Sequence, residues 1–177
     1  KEEVIPPVQV DFERSTFQVD VLDYVPLSRR VSVSTNLESQ VSITVLGRNG
    51  TASDVQHDFN ELGTAHQFDI HGLYADTMNV VVVQFFNSVN NLLSQDTLFI
   101  ETALTIGNLP EVAIEVPADS NREVGDFYLI SYRGRIAPMA PIMIDQFGDL
   151  RWIADFSNHP SLNELHFDVG LERLQNG

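Results

Sequence analysis

No cysteine occurs in the 177 residues. Structural disulfides, thiol nucleophiles and thiolate metal sites are therefore excluded, while compartment stays open, because exported proteins also dispense with cysteine. Cations are scarce: ten Lys and Arg stand against 25 Asp and Glu, for a formal charge of −15. A polyanionic partner needs neutralising cations, so nucleic acid and anionic membrane surfaces are excluded as partners. The acids are spread and not collected in a tail, which describes a solvated surface. No apolar run approaches the ~20 residues needed to cross a bilayer as a helix, so no membrane insertion is expected. Tryptophan occurs once, at Trp152. GxSxG, P-loop and GxGxxG motifs are all missing, and with them any support for a nucleophile elbow or a nucleotide cradle.

What is present is hydrophobic alternation of period two, with no sustained helical period. Alternating segments lie at Val8 to Phe12, at Phe17 to Val21, at Arg30 to Thr35 and at Gln40 to Leu46, the last two joined by Asn-Leu-Glu-Ser. A GRNG turn follows at 47–50, then a polar stretch from Thr51 to Gly63 with poor periodicity, and a lead-in from Thr64 to Gly72. Asn79 to Phe85 carries four consecutive valines and reads as the central strand, buried on both faces or covered outside by a loop. Residues 87–95 read as an Asn-rich loop, with further strands at Leu98 to Ile106 and Pro110 to Pro117. Seven short strands separated by turn signals predict an immunoglobulin-like β-sandwich over residues 1–118.

Asp119 to Asp126 reads as a boundary. Beyond it, strands at Phe127 to Tyr132, Pro141 to Asp145 and Leu150 to Ala154 have the spacing of propeller blades. Gly148 supplies the positive φ of the tight turn between the last two. The fold class expected is thus all-β, an Ig-like sandwich followed by a partial β-propeller-like blade segment at 127–177. A propeller cannot be completed in that length, so the chain reads as the front end of something larger.

The candidate chemistry is sparse. His57, His66 and His71 surround the irregular segment, and His159 and His166 fall in the second unit, with no HxH or HExxH spacing. No metal site is expected, and each histidine reads as a surface or hydrogen-bonded residue. Asp145 and Asp149 flank the QFG turn and read as turn caps. Arg151 has two readings, pairing with a nearby acid or reaching an anionic ligand, and Trp152 on the opposite side of the strand reads as packing between sheets. Tyr74 is expected to pack at the sandwich edge with its hydroxyl capping a backbone group. Arg133 and Arg135 form a locally basic spot, a candidate anion contact or a chance pair around a glycine.

Two segments, VSITVLGRNG with HQFDIHGLYADTMNVVVVQF and APMAPIMIDQFGDLRWIAD, resemble the N-terminal region of the bacterial arylsulfate sulfotransferases. The matching positions are Gly72, Leu73, Tyr74, Asn79 and Val81 in the first and Asp145, Gly148, Arg151 and Trp152 in the second. The resemblance implies an exported parent, periplasmic or at the cell surface with its signal peptide removed. That parent moves sulfuryl groups from an aryl sulfate to a phenol, with no cofactor, through a histidine at the centre of a propeller. None of the five histidines here matches that nucleophile, so no catalytic residue is assigned to this chain. The partners implied are the remainder of the propeller and a second copy in a homodimer. An Ig-like cell-surface binding or adhesion module, unrelated to sulfate chemistry, is the competing reading; an exposed aromatic patch at Tyr24, Tyr74 or Phe86 would mark it.

Overall fold

A computed structural model describes residues 11–103, 112, 113, 115, 127–132 and 140–163. It is all-β, in two sheets. The first contains β1 (Gln18–Val21), β2 (Arg29–Val45), β3 (Val55–Ile70), β4 (Met78–Phe86) and β5 (Leu92–Glu101), all neighbours antiparallel. The second is a meander of β6 (Phe127–Tyr132), β7 (Ala140–Asp145) and β8 (Leu150–Ile153). Among the described residues the only helical piece is a 3₁₀ turn at Gly50–Ser53. No helix there is long and apolar enough to cross a membrane.

Sequence and structure part company at three places. The segments around Thr35 and Gln40 are one 17-residue strand and not two. Its NLES stretch is an irregularity in the pairing with β3, between Ser34 and Val41. There Thr35 Oγ1 donates to the Leu37 carbonyl at 2.8 Å, so side-chain hydroxyls satisfy groups the ladder leaves open. Ahead of the irregularity one edge of β2 pairs with β1, through Arg29–Ser32; beyond it the same edge pairs with β4, through Gln40–Val45. A local kink that changes neighbours is how one long strand serves two layers. The immunoglobulin-like unit is accordingly a single sheet curled into a half-barrel.

The second correction concerns Thr51 to Gly63. Its polar pattern hid the first half of β3, which begins at Val55 and pairs with β2 down to Ile70. Only Val55 and Phe59 among its early residues touch the core, so the two-residue alternation is diluted. β5 likewise starts earlier than expected, at Leu92, and ends at Glu101. Most of the strands expected at Val8 to Phe12 and Pro110 to Pro117 lie outside the described residues.

The concave face holds the core. Val31, Val33, Val41, Ile43 and Val45 of β2 meet Phe68 and Ile70 of β3 and Val81, Val83 and Phe85 of β4. Phe12 and Phe17 cross the opening and stack near Phe85, with ring centroids 5.2 and 6.3 Å away. Each such side chain contributes about 1.5–3 kcal/mol when taken from water. The valine run of β4 is buried on one face at Val81 and Val83, while Val80 and Val82 are half-buried, so burial is one-sided. The second sheet has a much smaller apolar nucleus: Ala140, Ile142 and Ile153 with Leu27 from the loop before β2.

Candidate functional site

Three short segments meet between the sheets. The first is the exit from β3. Gly72 has φ +80°, a conformation costly for any residue with a Cβ, and an added Cβ would lie 3.1 Å from Val55 Cγ2. Leu73 then drops into the core and Tyr74 is 3% exposed. Asn79, at the start of β4, fixes the loop between them. Its carbonyl oxygen accepts from the Tyr74 N–H at 2.7 Å and its amide donates to the Tyr74 carbonyl at 3.1 Å. Thr102 Oγ1 donates to that same carbonyl at 2.6 Å. An asparagine serves here because it offers a donor and an acceptor from one short planar group.

The second segment is the β7–β8 hairpin. Asp145 Oδ1 accepts from the N–H groups of Phe147 and Asp149, at 2.9 and 3.0 Å. Gly148, at φ +85°, closes the turn through its N–H to the Asp145 carbonyl. The other carboxylate oxygen receives Arg151 Nη1 at 2.9 Å, and both side chains are buried, with 0% and 4% exposure. Of the two sequence readings for Arg151, the acid partner is what the geometry supplies.

The third segment is the turn around Ser53. Arg151 reaches across to donate from Nη1 to the Ser53 carbonyl at 3.1 Å and to Tyr74 Oη at 2.8 Å, and from Nε to the Gly72 carbonyl at 2.8 Å. Its guanidinium lies 3.8 Å from the Tyr74 ring centroid, and that of Arg48 lies 4.3 Å away. The Tyr74 hydroxyl also accepts from the Arg48 backbone N–H at 3.0 Å. Gln146 adds a bond from its amide to the Ala52 carbonyl at 3.1 Å. Nη1 thus faces three acceptors with two hydrogens, while Nη2 and Gln146 Oε1 are buried with no partner among the described residues. Arg48 also approaches Asp149 at 3.6 Å. Burial, then the charge of Asp145, pushes the Asp149 carboxyl above its ordinary range, against the pull of Arg48 and Arg151.

Gly72, Tyr74, Asp145 and Arg151 therefore converge directly, Asn79 and Gly148 shape the two loops, and Leu73 packs beneath. Trp152 stands apart, half-buried opposite Met143. Arg48, Ser53 and Thr102 complete the arrangement. Nothing in their spacing marks them, because a turn arginine or a backbone carbonyl leaves no periodic signal. Arg133 and Arg135 lie outside the described residues.

The histidines do not join the node. His66 Nε2 pairs with Ser39 Oγ at 3.0 Å and His71 Nδ1 with Ser28 Oγ at 2.8 Å. Burial holds both below the ordinary imidazole pKa. His57 sits edge-on to Phe59, and His159 Nδ1 accepts from the Ser161 and Leu162 N–H groups. His166 lies outside the described residues. Among the described residues no three His, Asp or Glu side chains gather in a manner that could hold a metal ion. Chemically, the node is a joint: its cation is buried, with Nε and Nη1 given to fixed acceptors and Nη2 to none among the described residues.

A second, smaller contact repeats the pattern. The Asp155 N–H, just past β8, donates to the Tyr24 carbonyl at 2.7 Å, and the Tyr24 ring packs on Phe156 and His159. Tyr74 and Tyr24 are thus engaged in contacts between the two sheets' loops and form no free aromatic patch.

No curated protein matches the sequence. Residues 16–103 do match a family, described as the arylsulfotransferase Ig-like domain. That span takes in β1 to β5, Gly72, Tyr74 and Asn79, and stops before Asp145 and Arg151. Over residues 16–103 the chain belongs to the arylsulfotransferase Ig-like domain family.

Proposed function

We propose that the chain is the non-catalytic N-terminal scaffold of a sulfotransferase-like protein, and that it seats the first strands of a propeller on an Ig-like domain. On this reading residues 1–118 are the Ig-like domain and 127–177 open the propeller. The full-length parent transfers sulfuryl groups from aryl sulfates to phenols outside the cytoplasm, and its remaining blades are the partner of β6 to β8. The observation that carries the proposal is the Arg151 node. A buried guanidinium on β8 is spent on groups from the Gly72–Tyr74 loop, the Ser53 turn and Asp145, which fixes the second sheet's angle of departure. Sulfuryl transfer needs cationic donors around three developing oxygens, and Nε and Nη1 of this buried guanidinium are already committed.

The test is an assay of 4-nitrophenyl sulfate with phenol, run on the 177-residue chain and on the full-length parent. The proposal requires turnover by the parent and none by the chain. It requires also that Arg151→Ala in the parent lower folded yield or stability more than it alters the kcat of the folded fraction. A parent lacking turnover would leave an Ig-like surface-binding module as the better description.

A further inference from the structure

β3 (Val55–Ile70) pairs with β2 on one side, except at 60–62 and 64, and with no strand on the other among the described residues. Its two arms, 55–59 and 65–70, leave open edge on either side of the irregularity, and open edge invites further pairing, which proteins ordinarily refuse with lysine, proline or a covering element. β3 contains no Lys, Arg or Pro. Beside this edge the half-barrel opens into a cleft of about 430 Å³, lined by Ile43, Val55, Phe59 and Phe68 together with polar side chains that include the Arg30–Asp69 pair. A second hollow of about 300 Å³ continues past Phe59 and Phe68 toward Leu62 and Ala65. The two rings stand 5.2 Å apart. Open backbone groups beside a side-chain-sized cleft with aromatic walls are the elements of strand addition, where main-chain bonds give affinity and the cleft gives selectivity.

Charge chooses among occupants. Asp58 and Glu61 are exposed on β3, Asp58 turned toward Ser42 of β2, and Asp69 is matched by Arg30 at 2.8 Å, so the strand carries a net negative charge. A hydrogen bond from Ser42 keeps the Asp58 carboxyl below its ordinary pKa, and so ionised. A second copy of this chain would bring the same acids and its own charge of −15. The segment PEVAIEVP at 110–117 would bring Glu111 and Glu115. Both face like-charge repulsion.

We propose that the free edge of β3 receives an extended basic segment of a partner polypeptide as an added antiparallel or parallel strand. An aromatic or large aliphatic side chain sits against Phe59 and Phe68, and Lys or Arg lies beside Asp58 and Glu61. This goes beyond the scaffold role and does not depend on sulfate chemistry.

The test uses the 177-residue chain and the synthetic peptide KTVTWTVK, by calorimetric titration and backbone amide shifts. Saturable binding is expected, with shifts confined to residues 55–62 and 65–71. Replacing both peptide lysines by glutamate should weaken it by about tenfold or more, and methylating alternate peptide nitrogens in either phase should abolish it in one phase. The variant Glu61→Lys, at an exposed position, should weaken binding comparably while leaving the thermal midpoint of the free chain unchanged. Equal binding by both methylated peptides, shifts elsewhere on the surface, no binding at millimolar peptide, or self-association of the chain through β3 would each overturn the proposal.

Discussion

The two sheets are held by different physics. The curled sheet closes over a nucleus of twelve buried apolar residues, six of them valine. The β6–β8 meander has four such residues, one borrowed from the loop before β2, and depends on a buried ion pair for its seat. Apolar burial is non-directional and tolerates adjustment, so it can build a domain but does not specify an angle. A guanidinium with fixed acceptors is the reverse: it contributes little net stability, because desolvation offsets its Coulomb gain, but few geometries satisfy it. The Ig-like sheet is therefore the foundation and the Arg151 node the bearing on which the second sheet is set.

Breaking the bearing should have the largest effect. Arg151→Ala strands Asp145 in the interior, and loss of one member of a buried pair costs about 3–5 kcal/mol. Hydrogen exchange should show β7 and β8 amides released while β2 and β4 keep their protection. Equal release in both sheets would mean one cooperative unit and erase the contrast drawn above. Next comes Asn79→Ala, which removes a 3%-exposed amide and leaves the Tyr74 N–H without its acceptor. About 1–3 kcal/mol is expected from chemical denaturation. Because Tyr74 joins both sheets, the loss should show in both, which distinguishes it from a pure core change. Ile43→Val trims one methylene from the curled core, with about 0.5–1.5 kcal/mol expected and no effect on the seating of β8.

Acid should also act unequally. His66 and His71 both have lowered pKa values through burial, from a reference of 6.5, so the folded chain favours their neutral forms. The unfolded chain then binds more protons in this window. Stability is fully present above about pH 6.5 and is lost as pH falls through the lowered folded values. Asp58 and Asp69, also lowered, add stability that is fully present above their reference of 3.8 and is lost as pH falls through their lower folded values. Denaturant midpoints recorded from pH 7.5 down to 5 should fall, and His66→Gln should flatten the slope; an unchanged slope in that variant would remove His66 from the account. The smallest effect belongs to Arg30→Ala. Its pair with Asp69 is solvent-facing, and the thermal midpoint should barely move.

Short apolar runs bounded by turn signals placed β4, β6, β7 and β8 to within a residue or two. Alternation failed where a strand's apolar face is interrupted. Polar residues in Asn-Leu-Glu-Ser sit at the irregularity of β2 and looked like a connection, and the half-exposed start of β3 looked like a loop. Family-like spacing marked Tyr74, Asn79, Asp145 and Arg151 as a set, without indicating that 77 residues of chain separate two groups in direct hydrogen bond.

What the sequence determined by itself is local: β class from period-two alternation, the hairpin from Gly148, the absence of thiol chemistry from the absence of cysteine, and an acidic surface from a count of charges. Only the tertiary structure decided that β2 is one strand with different neighbours along one edge, that Arg151 meets Asp145, and that the outer edge of β3 has no strand partner among the described residues. The reason is physical. Alternation and turn chemistry act over a few residues and are written consecutively. Ion pairing, orphaned carbonyls and free edges depend on which distant segments the folded core brings together.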